Sequence, residues 1–304
     1  MKKIYKLTPD VKDNLWGGRR LEKYGKTAKT DRIAESWELS FTSGGEATVA
    51  DGTPLTKAFP KETWGEACEK FEHFPVLTKF IDAREKLSVQ VHPSDEYALK
   101  NEGQYGKTEM WYVVSAEPGA GLYMGLTEKC SKEEFLRAVA DGSVEKLLSF
   151  VPVFGDEVFF IPAGTIHAIG AGCLIYEIQQ NSTLTYRLYD YMRRDKDGRL
   201  RELHVDRAMD VAILDKYEGA PRDEKKPDRI GKCEYFDVSK CKLKCTNKTF
   251  NVDNRSFLAI TAVSGLGKIE GETITAGDTY FCPAGAGEVT LLSDDELEII
   301  TVSV

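Results

Sequence analysis

The chain has 304 residues, 41% of them hydrophobic and 30% charged, enough for one large domain or two ordinary ones with a proper core. Its net charge of −8, from 49 acidic against 41 basic residues, disfavours non-specific nucleic-acid binding, which needs a basic surface. No apolar run reaches the ~18 residues of a membrane span, and Met1-Lys2-Lys3-Ile4-Tyr5-Lys6 lacks the apolar stretch of a signal peptide. The expectation is a cytoplasmic protein with neither a membrane nor a nucleic-acid partner.

Short alternating or apolar runs recur between Gly, Pro and Asp punctuation. They fall at 38–41, 76–81, 87–91, 110–114, 157–161, 173–178 and 257–263. Many short strands at such spacing predict an all-β sandwich or barrel. Helix is confined to a few places. Ser131 and Glu134 form a capping box ahead of Phe135, Leu136 and Val139, and Asp141-Gly142 ends that helix. Val144, Leu147 and Leu148 predict one further short turn. A second helix is expected over 202–215, with Leu203, Ala208, Val211 and Leu214 facing inward. Residues 219–229 are polar, hold two prolines and read as a linker. That places one domain over 1–228, with a helical segment near 128–150, and a smaller one over 229–304. The seven cysteines form no CxxC pair and read as reduced, mostly buried thiols.

An internal repeat supports two related β-barrels. The run from Gly155-Asp156 through Pro162-Ala163-Gly164 to His167 resembles that from Gly277-Asp278 through Pro283-Ala284-Gly285 to Glu288. The second copy is one residue shorter between Asp and Pro. Gly-Asp should open a strand, Pro-Ala-Gly should turn the chain at its end, and each Asp should cap nearby backbone amides.

Ser88, Gln90 and His92 lie at i, i+2 and i+4, which on a strand puts them on one face. Lys107 and Glu109 share a face in the same way, and His167 follows the Pro-Ala-Gly turn. Two imidazoles, a carboxylate and an amide oxygen make an N/O set suited to Zn²⁺, though not exclusive of iron. The plainer alternative is that these are hydrogen-bonded structural groups. His73 and His204 have no neighbouring ligand pattern and are read as such.

Five motifs occur in order. They are Gln90-Val91-His92-Pro93, Gly106-Lys107-Thr108-Glu109-Met110-Trp111, Ile161-Pro162-Ala163-Gly164-Thr165-Ile166-His167-Ala168, Glu177-Ile178-Gln179-Gln180 and Thr185-Tyr186-Arg187-Leu188-Tyr189-Asp190-Tyr191. Together with Leu15-Trp16-Gly17-Gly18 and Ala34-Glu35-Ser36-Trp37-Glu38 they resemble the type I mannose-6-phosphate isomerase family in its short bacterial form. The resemblance covers at least residues 14–191. It implies a mainly β protein of two cupin (jelly-roll β-barrel) domains with a small helical insertion, the second cupin non-catalytic.

By position, the family's zinc ligands fall on Gln90, His92, Glu109 and His167, for one Zn²⁺ per chain. Its catalytic arginine falls on Arg187, its pocket lysines on Lys79 and Lys107, and its acid/base carboxylate on Glu177. Where family members commonly carry an acidic residue four positions before the arginine, this chain has Thr183.

The implied reaction is aldose–ketose isomerisation between mannose 6-phosphate and fructose 6-phosphate through an enediol intermediate. It needs a group that stabilises a developing oxyanion and a base that takes a carbon-bound proton. It also needs cations for a dianionic phosphate, for which Lys79, Lys107 and Arg187, with Ser88, are the candidates. Two other readings carry over from the residues: a cupin oxygenase, and a non-catalytic sugar-phosphate-binding cupin.

Overall fold

The structure is a computed structural model that describes residues 2–28, 30–194, 197–218 and 228–304. The expected linker over 219–229 lies mostly outside the described residues. The chain divides into two compact units, neither continuous in sequence: one holds 1–12, 19–80 and 222–304, the other 13–18 and 81–221. This division does not follow a single cut at 228–229.

Within the second unit, three antiparallel strands pair in the order Val158–Ile161, Glu109–Ala116, Cys173–Gln180. Five more pair in the order Tyr186–Tyr189, Val89–Val91, His167–Ile169, Gly121–Leu126, Leu148–Pro152. Every residue of Cys173–Gln180 and of Gly121–Leu126 is buried, so those strands are covered on both faces. The helix Lys132–Asp141 starts at the expected capping box, with Ser131 Oγ accepting the Glu134 N–H at 3.2 Å and Glu134 Oε2 accepting the Ser131 N–H at 2.8 Å. Gly142, at φ 78°, ends it in the left-handed conformation that glycine adopts without a Cβ penalty. The expected next turn is a short 3₁₀ helix, Val144–Leu147.

Phe135, Ala138 and Val144 from these helical segments, with Ala208 and Met209 from the helix Val205–Val211, pack against Val89, Val91, Ala168, Tyr186 and Leu188 of the five-stranded sheet. Strand side chains alternate in direction. Covering that set with helices therefore turns the intervening residues, Gln90, His167 and Arg187, to the opposite, inner face. Hydrophobic burial on one face thus orients the polar face.

The second helix is shorter than expected, Val205–Val211, because His204 and Ala212 leave helical geometry at its ends. Ala208 is buried and Val211 and Leu214 pack against the same core, but Leu203 is 41% exposed and does not face inward.

Within the first unit, Asp237–Val252 and Gly287–Ser303 pair along their whole length, from Asp237↔Ser303 to Val252↔Gly287. Leu258–Ile269 and Thr279–Cys282 extend that sheet. The N-terminal strand Tyr5–Thr8 joins it through Tyr5↔Phe281 and continues to Thr48–Val49. The start of the chain therefore completes a sheet built from its end, which is why the units are discontinuous. Phe41, Phe74, Phe257 and Phe281 form an aromatic core there. A buried Lys26–Glu38 pair at 2.7 Å is satisfied by Ser36, Thr279 and the Gly277 carbonyl.

The architecture is mainly β, as expected, but the strand ladders form open sheets and not closed barrels. The repeat is visible in the backbone. Gly164 and Gly285 both have positive φ after their prolines, as do Asp156 (80°) and Gly277 (95°) at the preceding turn. Asp156 thus stands where Gly277 stands, and the apparent one-residue gap disappears. Asp278 Oδ2 accepts the Thr275 N–H at 2.9 Å, and Asp156 Oδ1 accepts the Tyr112 hydroxyl at 3.0 Å.

Candidate metal centre

Two rows of cross-strand neighbours build the site. In one sheet Arg187, Gln90, His167 and Met124 stand side by side; in the other Ile161, Glu109 and Gln179 do. His92, Glu109 and His167, all buried, bring one ligand atom each within 4.8 Å of one another. The two carboxylate oxygens of Glu109 divide between the imidazoles. Oε1 is 3.3 Å from His167 Nε2, and Oε2 is 3.5 Å from His92 Nε2.

Backbone carbonyls fix both rings. His92 Nδ1 lies 2.8 Å from Leu184 O and His167 Nδ1 lies 2.9 Å from Thr165 O. A carbonyl only accepts, so each Nδ1 carries a hydrogen and Nε2, on the Glu109 side, is the nitrogen left to ligate a metal. Burial holds His167 well below the ordinary imidazole range, at about 4. The Thr165 hydrogen bond opposes that shift and the Lys107 charge adds to it. A neutral, pre-oriented imidazole is the form that binds a metal. The donor set therefore fits zinc on chemical grounds. Gln90 adjoins it, with Nε2 3.3 Å from His167 Nε2; its oxygen would become a ligand by turning the amide over.

Lys107 occupies the same place with its ammonium, 2.7 Å from Glu109 Oε2, 3.3 Å from His92 Nε2 and 4.0 Å from Glu177 Oε1. Glu177 Oε2 accepts the Trp111 indole N–H at 2.9 Å, and the same indole packs edge-on against His167 at 5.4 Å. Trp111 lay inside a quoted motif, yet no spacing rule marked it out as a residue that braces two others. Arg187 donates Nε–H to Ser88 Oγ at 3.3 Å and Nη1–H to Glu202 O at 3.0 Å. Burial lowers its pKa from the ordinary guanidinium value, with neighbouring Arg201 acting in the same direction.

The structure therefore gathers Ser88, Gln90, His92, Lys107, Glu109, His167, Glu177 and Arg187 in one unit. Lys79 belongs to the other unit, where it is buried 3.7 Å from Glu35 Oε2 and 4.8 Å from the Trp37 ring centroid. Thr183 is exposed. No helix among the described residues is long and apolar enough to cross a membrane.

A family model described as phosphomannose isomerase type I, catalytic domain, matches residues 4–114. Mannose-6-phosphate isomerase ManA of Bacillus subtilis (strain 168) is 36% identical over 302 residues, 93% of this chain and 94% of the relative. A mannose-6-phosphate isomerase of Streptococcus mutans is 42% identical over 217 residues, covering 69% of this chain and 68% of the relative. The crystal structure of the mannose 6-phosphate isomerase from Bacillus subtilis superposes with a TM-score of 0.90 at 31% identity over 100% of both chains.

Proposed function

The chain belongs to the type I phosphomannose isomerase family, and on that premise we propose that it interconverts mannose 6-phosphate and fructose 6-phosphate on one zinc ion per chain, through an enediol. The observation that carries the zinc requirement is the pair of imidazoles, each held through Nδ1 by a backbone carbonyl, whose Nε2 atoms both face Glu109. His92, Glu109 and His167 would hold the ion, with Gln90 completing the set through its oxygen. Bound there, zinc would supply a redox-inert Lewis acid that draws off charge developing on the substrate oxygens.

The remaining work falls to side chains. Glu177 is assigned the carbon-bound proton: it takes the hydrogen from C2 of the aldose and returns it to C1, while the C1 carbonyl becomes a hydroxyl and the C2 hydroxyl becomes a carbonyl. Its hydrogen bond from Trp111 fixes the carboxylate's direction without occupying both oxygens. Lys107 faces both Glu109 and Glu177 and is assigned the proton that moves between the substrate oxygens. Arg187 and Ser88 are assigned to holding the substrate's anionic end, where a planar guanidinium matches phosphate geometry. Lys79 is proposed as a further substrate contact. No step is assigned to residues 229–304, whose role is taken to be completion of the fold. A cytoplasmic location is proposed with them.

The test is an assay for mannose 6-phosphate turnover coupled to fructose 6-phosphate detection, with metal analysis of the same preparation. Turnover that is lost on chelation and restored by zinc supports the reading. Turnover that persists in metal-free protein overturns the zinc requirement.

A further inference from the structure

We infer that His204 is a positioning residue for Arg187, gripping the arginine's backbone so that its guanidinium is presented in one orientation. The inference rests on the reading that Arg187 acts on the substrate. His204 occupies the N-cap of helix Val205–Val211, a position where Ser, Thr, Asp or Asn ordinarily closes the first turn with a side-chain oxygen. Its side chain makes no such capping bond. Instead Nδ1 accepts the backbone N–H of Arg187 at 3.2 Å, and the His204 N–H donates to the Arg187 carbonyl at 2.7 Å.

The contact falls where the strand ladder needs it. Pairing between Tyr186–Tyr189 and Val89–Val91 slips between Arg187 and Tyr189. A slip of this kind leaves the local backbone less constrained by its neighbour. His204 restores the constraint from outside the sheet. Two residues earlier, the Glu202 carbonyl takes Arg187 Nη1–H. One short segment thus holds both the backbone and the guanidinium, and Ser88 holds Nε from the other side. Nδ1 accepts only while unprotonated, so the ring is neutral. Burial, and after it the Arg187 charge, lowers the His204 pKa in the direction this requires.

The experiment is a double-mutant cycle on the full-length, zinc-loaded protein: wild type, His204→Phe, Arg187→Ala and the pair, with His204→Asn as rescue. Phenylalanine keeps the ring and loses the acceptor, while the asparagine oxygen can replace Nδ1. The readouts are kcat and KM for mannose 6-phosphate and the zinc bound per chain. Losing an acceptor to a half-buried N–H should lower kcat/KM roughly tenfold in His204→Phe. His204→Asn should stay within about threefold of wild type, and His204→Phe should cost under about twofold more once Arg187 is already alanine. Zinc should stay at the wild-type level throughout. An equal loss in both Arg187 backgrounds, or an unchanged kcat/KM in His204→Phe, overturns the inference. An Arg187→Ala protein with wild-type kinetics would sink the reading of Arg187 itself, and this inference with it. Should His204→Phe not fold, His204→Ala takes its place in the same cycle.

Discussion

The ammonium of Lys107 lies 2.7 Å from Glu109 Oε2, on the carboxylate that both imidazoles also face. A single positive charge therefore meets the lone pairs that a dication would take. Lysine at this position and a bound metal would compete for one oxygen. Lys107→Met should accordingly keep one zinc per chain, bound at least as tightly as in wild type, while losing roughly a hundredfold or more in kcat as a general acid–base residue. Chelator competition and steady-state rates on the same sample check it. Weaker zinc binding in Lys107→Met would contradict the competition.

Glu177→Gln separates proton transfer from metal holding. The amide retains the size of the carboxyl and can still accept from Trp111, but it cannot take a proton from carbon. We expect kcat to fall by about 10² to 10⁴ with zinc content unchanged. Exchange of the substrate's C2 hydrogen with solvent should slow in parallel. Exchange at the wild-type rate would move the base elsewhere.

Replacing His92 and His167 together by alanine should abolish stoichiometric zinc. A Lewis acid contributes several kcal/mol of charge stabilisation, so turnover should fall by about a thousandfold or more at roughly 1.4 kcal/mol per factor of ten. Far-ultraviolet circular dichroism should still report a β protein, since the apolar residues packed on the helical side of the sheet are untouched. A zinc ion that persisted in the double variant, and also bound to residues 231–304 within it, would put a second site in the other unit.

Arg187→Lys keeps the charge and loses the planar fork, so it tests geometry apart from charge. A loss of at least about tenfold in turnover is expected, equivalent to roughly 1.4 kcal/mol of barrier. Near-normal rates in both Arg187→Lys and Arg187→Ala would make the residue structural.

Acid stability should carry the signature of Asp237. Burial pushes its carboxyl up, but hydrogen bonds from Arg229 at 2.9 and 2.7 Å and from Lys232 at 2.8 Å outweigh that and leave it lowered overall. A group lowered on folding stabilises fully above its unfolded value, near ~4. That contribution is lost as pH falls through the folded value. Urea midpoints of metal-free protein, followed from pH 6 down to 3, should therefore fall more steeply in wild type than in Asp237→Asn. Parallel curves would remove Asp237 from the account.

The strands were legible because short apolar or alternating runs bounded by Gly, Pro and Asp are a local signal. Runs such as 173–178 and 110–114 reappear inside Cys173–Gln180 and Glu109–Ala116. The nearness of Ser88, Gln90 and His92 was legible for the same reason, and so was the capping box at Ser131. What period two cannot state is register between strands far apart in sequence. Nothing local says that His167 pairs with Gln90, or that Tyr5 pairs with Phe281. The role of His204 was hidden likewise, since a histidine that bonds to a backbone 17 residues away carries no pattern. Leu203 misled because helical spacing was extended past the residue where the helix begins. Lys79 was named by family position alone, and its partner Glu35 sits 44 residues earlier, beyond the reach of any local rule.

The pairing of Tyr5 with Phe281 also sets an order of events during synthesis. The first strand leaves the ribosome long before its partner exists, a wait of roughly 15 to 55 s at about 5–20 residues per second. Residues 81–221 are complete well inside that interval and contain every proposed zinc ligand. The proposed ligands are therefore all synthesised while one edge of the amino-terminal strand is still unpaired, and Thr279–Cys282, made near the end, is the strand that shields it. Until then Tyr5–Thr8 offers open backbone hydrogen bonds to any other chain nearby. Crowded polysomes, more than the finished protein, are where this molecule is exposed to mispairing.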